Sequence, residues 1–445
     1  MASDRTPPNG WRYESIGALE TAGIVQDIQD GNHGEKHPKA ADYVPSGVPF
    51  VMAKDIEGNR LNLTDCAFIP RSLADSLRIG FSRPGDVLLT HKATMGRVAI
   101  VPEGYDYIML TPQVTYYRVG DPKQLSNAYL KYAFLGPDFQ YQLNSDSDQS
   151  TRKYIGITAQ RRLRIPLPPL KEQQAIAHVL GTLDRKVELN RMLNQTLGAI
   201  ARSLFKSWFV DFDPIRAKAE KRDSGLPEAL ARLFTSTFEK SEIGGIPKDW
   251  KVAGLDELGR FLNGLALQKF PPQGDRFLPV IKIAQLRSED TSDADRASAD
   301  LAPEYVVNDG DVLFSWSGSL ECILWAAGRG ALNQHLFKVT SEVYPKWFYF
   351  LWIGEHLEEF RHIAAGKATT MGHIQRGHLS SAKVLIPPAE LLNEIGRFFA
   401  PLIDQIVNLK LVSNTLVSIR DALLPKLVSG ELRVPDAERI LGAQL

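Results

Sequence analysis

Residues 151–171 carry Arg152, Lys153, Arg161, Arg162, Arg164 and Lys171 with no acid, and residues 361–383 carry Arg361, Lys367, Arg376 and Lys383 with His362, His373 and His378, again with no acid. Clustered cations beside polar side chains suit phosphate contact. Charge supplies affinity and orientation, while donors and acceptors that reach a groove edge supply base identity. The run Thr90-His91-Lys92-Ala93-Thr94-Met95-Gly96-Arg97 between two strand-like segments has residue types for both tasks, and Ser315-Trp316-Ser317-Gly318-Ser319 is a second such loop. Arg and Lys suit guanine, Asn and Gln adenine. The DNA-binding set expected from these stretches is Lys92, Arg97, Arg152, Lys153, Arg161, Ser317, Lys367, His373 and Arg376. For any one of them a solvated surface charge or a turn residue is the competing reading; the doubling is stronger evidence than any single residue.

No catalytic centre accompanies these cations. There is no Gly-rich cofactor loop after a strand, no Asn/Asp-Pro-Pro-aromatic run of an amino methyltransferase, and no HExxH, GxSxG or nuclease-type pair of acids with a lysine. Ala365-Gly366-Lys367-Ala368-Thr369 ends like a phosphate loop, but Arg361 stands where its first glycine is required. His373 and His378 lie five apart, off the spacing that sets two ligands on one helix face, so no metal site is expected. Lys plus Arg equals 52 and Asp plus Glu equals 52, which excludes binding by bulk attraction and leaves local patches. Residues 289–311 hold eight acids against Arg296 alone, and such a run is expected away from a phosphate surface. Cys66 and Cys322 form no CxxC and fit a reducing compartment. With no signal-peptide core and no run of 18 apolar residues, a cytoplasmic location without membrane contact is expected.

Two basic segments in like positions need a frame, and the chain supplies one by duplication. Gly85-Asp86-Val87-Leu88 recurs as Gly310-Asp311-Val312-Leu313 at an offset of 225, and Gln113 recurs as Gln334 at 221. Trp11 matches Trp250 at 239, and Val48-Pro49-Phe50 resembles Leu278-Pro279-Val280 at 230. Further on, Pro168-Pro169 with Pro387-Pro388, Ile176 with Ile395, Thr196-Leu197 with Thr415-Leu416, Ile200 with Ile419 and Leu204 with Leu423 all keep 219. The early part of each copy therefore gains and loses loop residues, as a globular domain does, while the later part holds its length.

That later part has helical composition. Leu183, Asn190, Leu197 and Leu204 stand seven apart, as do Leu402, Leu409, Leu416 and Leu423, which predicts two long helices paired through one seam. Val187, Leu193 and Ile200, with Ile406, Val412 and Ile419, fill the intervening seam positions, and Asn190 opposite Leu409 is a polar seam residue able to fix register. Pro401 is expected to split the second region into a short lead-in and a helix from Leu402, and Gly181 to act likewise in the first. An ordinary helix bundle is the competing reading of these leucines.

Residues 1–165 and 250–386 read as globular α+β parts, 166–212 and 387–432 as helical regions, 213–249 as a solvated linker with a short helix near 227–234, and 433–445 as a tail. Strands are predicted over residues 86–90, 98–101, 113–117, 311–316 and 334–339, and helices over 129–139 and 346–363.

With these elements in place, the chain resembles the DNA-specificity subunit of type I restriction-modification systems. The resemblance is carried by Ile165-Pro166-Leu167-Pro168-Pro169-Leu170-Lys171-Glu172-Gln173, by Ile176 through Leu183-Asp184 to Glu188-Leu189-Asn190, by Ser207-Trp208-Phe209-Val210-Asp211-Phe212-Asp213-Pro214, and by Leu423-Leu424-Pro425-Lys426-Leu427-Val428-Ser429-Gly430-Glu431. In the second copy, the stretches at residues 314–321 and 332–339 are typical of one group of target recognition domains. The resemblance spans nearly the whole chain. It implies two pseudo-symmetric α+β target recognition domains, at residues 1–165 and 250–386, separated by two long antiparallel coiled-coil helices. Each domain would read one half of a split site in double-stranded DNA. It further implies two methyltransferase subunits docked on the helices and motor-nuclease subunits beyond them. S-adenosylmethionine, ATP and Mg would sit on those partners and none in this chain. A helix from Leu183 to Leu204 rises about 32 Å at 1.5 Å per residue, near the roughly 34 Å between successive major-groove faces, so a ruler is expected. The two domains differ outside their shared strands, which predicts a target with unlike halves.

Two other classes compete. One is a single-chain DNA methyltransferase or nuclease with a divergent site, opposed by the missing motifs. The other is a coiled-coil scaffold that binds only protein, favoured by zero net charge and opposed by the twin basic segments.

Overall fold

The computed structural model describes residues 8–34, 36–145, 154–366 and 372–442. They fall into two compact units, residues 1–187 with 416–445 and residues 188–415. In the first unit, Val25–Asp30, Val114–Val119, Val87–Thr90 and Val98–Ile100 form an antiparallel sheet in that order. A second sheet orders Ala67–Ile69, Val48–Val51, Ile108–Leu110 and Phe81–Ser82, with the middle two strands parallel. A ribbon pairs Arg12–Ser15 with Arg164–Leu167. Val87-Leu88-Leu89 is buried on both faces: Val87 and Leu89 share a core with Tyr117, Phe134 and Leu180, while Leu88 joins Ala99, Val114 and Tyr116. A strand covered on both sides serves two cores by alternation, which is why it reads as an unbroken apolar run.

The second unit repeats this order. Arg260–Asn263, Leu336–Thr340, Val312–Ser315 and Cys322–Leu324 make the antiparallel sheet. Arg296–Ser298, Phe277–Ile281, Gly330–Leu332 and Val306–Val307 make the other, again with a parallel middle pair, and Lys251–Gly254 pairs with Lys383–Ile386. Val312 and Phe314 face one core and Leu313 the other. The repeated Gly-Asp now has a cause. Gly85 and Gly310 turn at φ +85° and +84°, a left-handed conformation that favours glycine. Asp86 Oδ2 accepts from the Arg83 amide and Arg118, both at 2.7 Å, and Asp311 Oδ2 accepts from the Asn308 amide and Lys338 Nζ, both at 2.8 Å.

Leu170–Phe205 is one helix of 36 residues and Ala389–Ser429 one of 41, uninterrupted at Gly181 or Pro401. Proline in a helix costs about 3 kcal/mol. Here Pro401 and Arg397, whose carbonyl loses its donor, are both exposed to water, while Phe399 and Ile403 beside them are buried and hold the helix in place. In the first unit, Ile176, Leu180 and Leu183 of the first helix share a core with Leu416, Leu423 and Leu427 of the second. In the second unit, Ala201 and Phe205 share a core with Ile403 and Ile406, with Leu197, Leu204 and Leu402 packed against it. There Asn190 meets Ser413 and Phe205 meets Phe399, so the helices run antiparallel.

Three expected seam residues lie outside the seam: Leu193 and Ile200 are 43% exposed and Val412 46%. Leu409 is buried, and the hydrogen bond of the buried Asn190 amide goes to Ser413 Oγ, at 3.2 Å, one turn on from Leu409. Repeat equivalence pairs 190 with 409, whereas antiparallel packing brings 190 to 413.

The linker is not simply solvated. It holds the helices Asp213–Ala219 and Glu228–Leu233 and a hairpin of Phe238–Ser241 with Gly244–Pro247, and Ile215, Leu230, Phe234 and Ile246 are core residues. The Ser-Trp-Phe-Val-Asp-Phe motif is a packing device: Phe209 stacks on Phe205 at 4.6 Å and Trp208 meets Phe399 edge-on at 5.5 Å. The helix expected over 129–139 is two, Asn127–Leu135 and Pro137–Ser145, because Gly136-Pro137 ends one and starts the next. Several of the clustered acids are paired within the second unit: Glu289 with Lys410, Asp295 with Lys282, Glu304 with Arg260 and Asp311 with Lys338.

Candidate nucleic-acid interface

In the first unit the strand Val87–Thr90 runs into His91 and Lys92. The His91 carbonyl accepts from the Ile155 amide at 3.1 Å, and Lys92 forms a β-bridge with Tyr154. His91 is 1% exposed, with Nδ1 2.6 Å from Thr115 Oγ1. Thr115 Oγ1 in turn donates to Asp30 Oδ1 at 2.6 Å, which links the imidazole to the carboxylate through the hydroxyl. Gln160 Nε2 donates to Thr115 Oγ1 at 3.1 Å, and Gln160 accepts from the Tyr117 hydroxyl. Burial pushes the His91 imidazole below its ordinary value, with Asp30 working the other way. On this fixed base stand the exposed Lys92 and the 43% exposed Tyr154, whose ring meets His91 edge-on at 5.5 Å and lies 6.0 Å from Lys92 Nζ. Burial, then Asp30, raises the Tyr154 phenol, which therefore remains a donor at neutral pH.

The second unit builds the same place from other residues. The Trp316 carbonyl accepts from the Ile374 amide at 2.9 Å, and Ser317 bridges His373. Trp316 Nε1 donates to Asn263 Oδ1 at 2.9 Å and to the Gln334 carbonyl at 3.2 Å, and its half-buried ring lies 6.4 Å from that of His373. A polar cleft alongside is lined by Asp256, Arg260, Asn263 and Arg376.

A type I restriction modification DNA specificity domain matches twice, at residues 31–199 and 247–415. The chain belongs to the type I restriction-modification DNA specificity family. It is 26% identical over 419 residues to the MjaIX specificity subunit of Methanocaldococcus jannaschii, covering 89% of this chain and 90% of that one. It is 23% identical to the HindI specificity subunit of Haemophilus influenzae over 66% of this chain and 74% of that one, and 20% identical to the EcoKI specificity subunit of Escherichia coli over 96% and 90%. The S subunit structure from M. genitalium shares the fold with a TM-score of 0.54 at 14% identity, covering 96% of this chain and 98% of that one.

Of the residues singled out for the specificity family's DNA contact, Lys92 and Arg376 are exposed and His373 is half-buried. Arg376 donates to the Phe261 carbonyl at 3.3 Å. Arg97 is turned inward, with Nη1 donating to the Ile56 carbonyl at 3.0 Å. Arg161 is held by Glu20 through bonds of 2.6 and 2.9 Å, and Ser317, 3% exposed, lies 3.1 Å from His335 Nδ1. Each of these three thus has a partner distant in sequence, 18 to 141 residues away. Arg152, Lys153 and Lys367 lie outside the described residues. Tyr154 was not singled out by composition, although the constant offset of 219 aligns it with His373.

On the first helix, Leu189, Met192, Leu193 and Ile200 are all exposed, and their spacing puts them on one face. Among the described residues no cluster of three or more metal-ligating side chains occurs, and no helix is long and apolar enough to cross a membrane.

Proposed function

We propose that this chain reads a two-part, asymmetric sequence in double-stranded DNA, one half with each unit, and leaves bond-making to companions in a type I restriction-modification complex. The observation that carries this reading is the duplicated frame: one strand order, formed twice, with different side chains where the central strand meets the segment before the last short helix. A frame that is repeated while its exposed residues diverge suits two readers of unlike half-sites. Two methyltransferase subunits would dock on the long helices, and the exposed apolar face of Leu189, Met192, Leu193 and Ile200 supports this, since such a stripe favours an apolar partner. Motor-nuclease subunits would join them. S-adenosylmethionine, ATP and Mg would be bound by those partners in the cytoplasm, where the chromosome is accessible.

Replacing residues 1–165 with the corresponding domain of another specificity subunit tests this. In complex with the methyltransferase, only one half of the recognised sequence should change, read by sequencing methylated adenines. A change in both halves, or in neither, refutes the assignment. Methylation or cleavage by the purified chain alone would instead favour a single-chain enzyme, and partner binding without any DNA affinity a protein scaffold.

A further inference from the structure

The proposed function does not say which side chains distinguish one base from another, and the duplication supplies a way to find them. A reading position must have a fixed backbone in both units, since bases are discriminated at hydrogen-bond distances, and a side chain free to differ. Residues 91, 92 and 154 of the first unit correspond to 316, 317 and 373 of the second. In each, the residue after the central strand accepts a backbone bond from an isoleucine, Ile155 or Ile374, and the next residue bridges the residue before that isoleucine. The backbone is therefore the same twice. The side chains are not: His91, Lys92 and Tyr154 against Trp316, Ser317 and His373.

The inward groups are occupied. His91 is spent on Thr115, Trp316 Nε1 on Asn263 and the Gln334 carbonyl, and Ser317 is buried against His335. What faces outward differs: an exposed lysine beside an exposed phenol in one unit, a half-buried indole edge-on to an imidazole in the other.

Resting on the proposed function, we propose that Tyr154 with Lys92 in the first unit, and Trp316 with His373 in the second, are specificity-determining residues of the two half-sites, with Tyr154 and His373 at equivalent positions. The first pair offers a protonated phenol and an ammonium, donors that suit acceptor-rich base edges such as those of guanine. The second offers ring faces and edges, which suit contact with apolar groups such as the thymine methyl.

The test uses the full chain in complex with its methyltransferase subunits and DNA duplexes randomised in one half of the site at a time. Bound duplexes are sequenced. Tyr154→Ala should relax preference in one half by roughly tenfold to a hundredfold at one or two bases and leave the other half unchanged. Tyr154→Phe, which keeps the ring, separates loss of the hydroxyl from loss of the ring. Trp316→Ala should relax the other half only; where that variant fails to fold, His373→Ala carries the same expectation. Equal weakening on every sequence, or unchanged preference, overturns the inference while the proposed function stands, whereas relaxation of both halves by one variant overturns the assignment of one half to each unit as well. A wild-type complex with no preference in either half overturns the proposed function and this inference with it.

Discussion

At residue scale the most consequential contact is a buried ion network in the first unit. Asp184 accepts from Lys131 Nζ and the Tyr132 hydroxyl, both at 2.8 Å, and from Arg420 Nη1 at 2.9 Å. Burial by itself would raise the Asp184 carboxyl, but the cations and the hydroxyl more than reverse that and hold it below the usual carboxylate range. Removing one partner of a buried pair leaves an uncompensated charge, so Arg420→Ala should cost about 3 kcal/mol in chemical denaturation. The pH sign follows from linkage. A carboxyl depressed in the folded state adds stability above its unfolded value near 3.8, and that stability is lost as pH falls through the lower folded value. The advantage of wild type over Asp184→Asn should therefore be full at pH 7 and shrink below about pH 4; an advantage constant down to pH 3 would show the charge to be irrelevant. Composition exposed the doubled cations but not their fates. Arg161 looked free because Glu20 stands far back in the sequence, and Arg97 because the carbonyl it reaches belongs to Ile56.

At element scale the long helices were legible and their seam only partly so. Seven-residue spacing identified Leu183, Leu409, Leu416 and Leu423, all buried, yet a two-helix seam buries fewer positions than the leucine pattern implies, and neighbouring β-domains cover other faces. Pro401 misled because propensity is a weak prior once Phe399 and Ile403 are anchored. The leftover apolar face has its own test. Leu193→Asp with Ile200→Asp changes exposed positions, so stability should move by no more than about 0.5 kcal/mol per site, while co-purification with the methyltransferase subunit should fall at least tenfold. Undiminished co-purification would move the docking surface elsewhere.

At the scale of the whole molecule, the duplication was legible through drifting and then constant offsets, whereas the parallel strand pair in each unit was not, since nothing in Val48-Pro49-Phe50 or Leu278-Pro279-Val280 announces a partner direction. The paired helices suggest a ruler. Seven residues added after Asn194 and seven after Asn408 keep the seam period and lengthen each helix by about 10.5 Å, so the recognised sequence should gain about three base pairs between its halves at 3.4 Å each, as mapped by methylated-adenine sequencing. An unaltered gap would refute the ruler. The first unit also has an unusual debt to the end of the chain: Leu416, Leu423, Leu427, Val434 and Ala437 complete its core, and Arg433 pairs with Glu172 at 2.9 Å. The second unit, contiguous from 188 to 415, has no such debt. During translation the first unit must thus wait until residues 416–437 have been made, and a nonsense mutation ahead of them would cripple a unit whose sheets were synthesised long before.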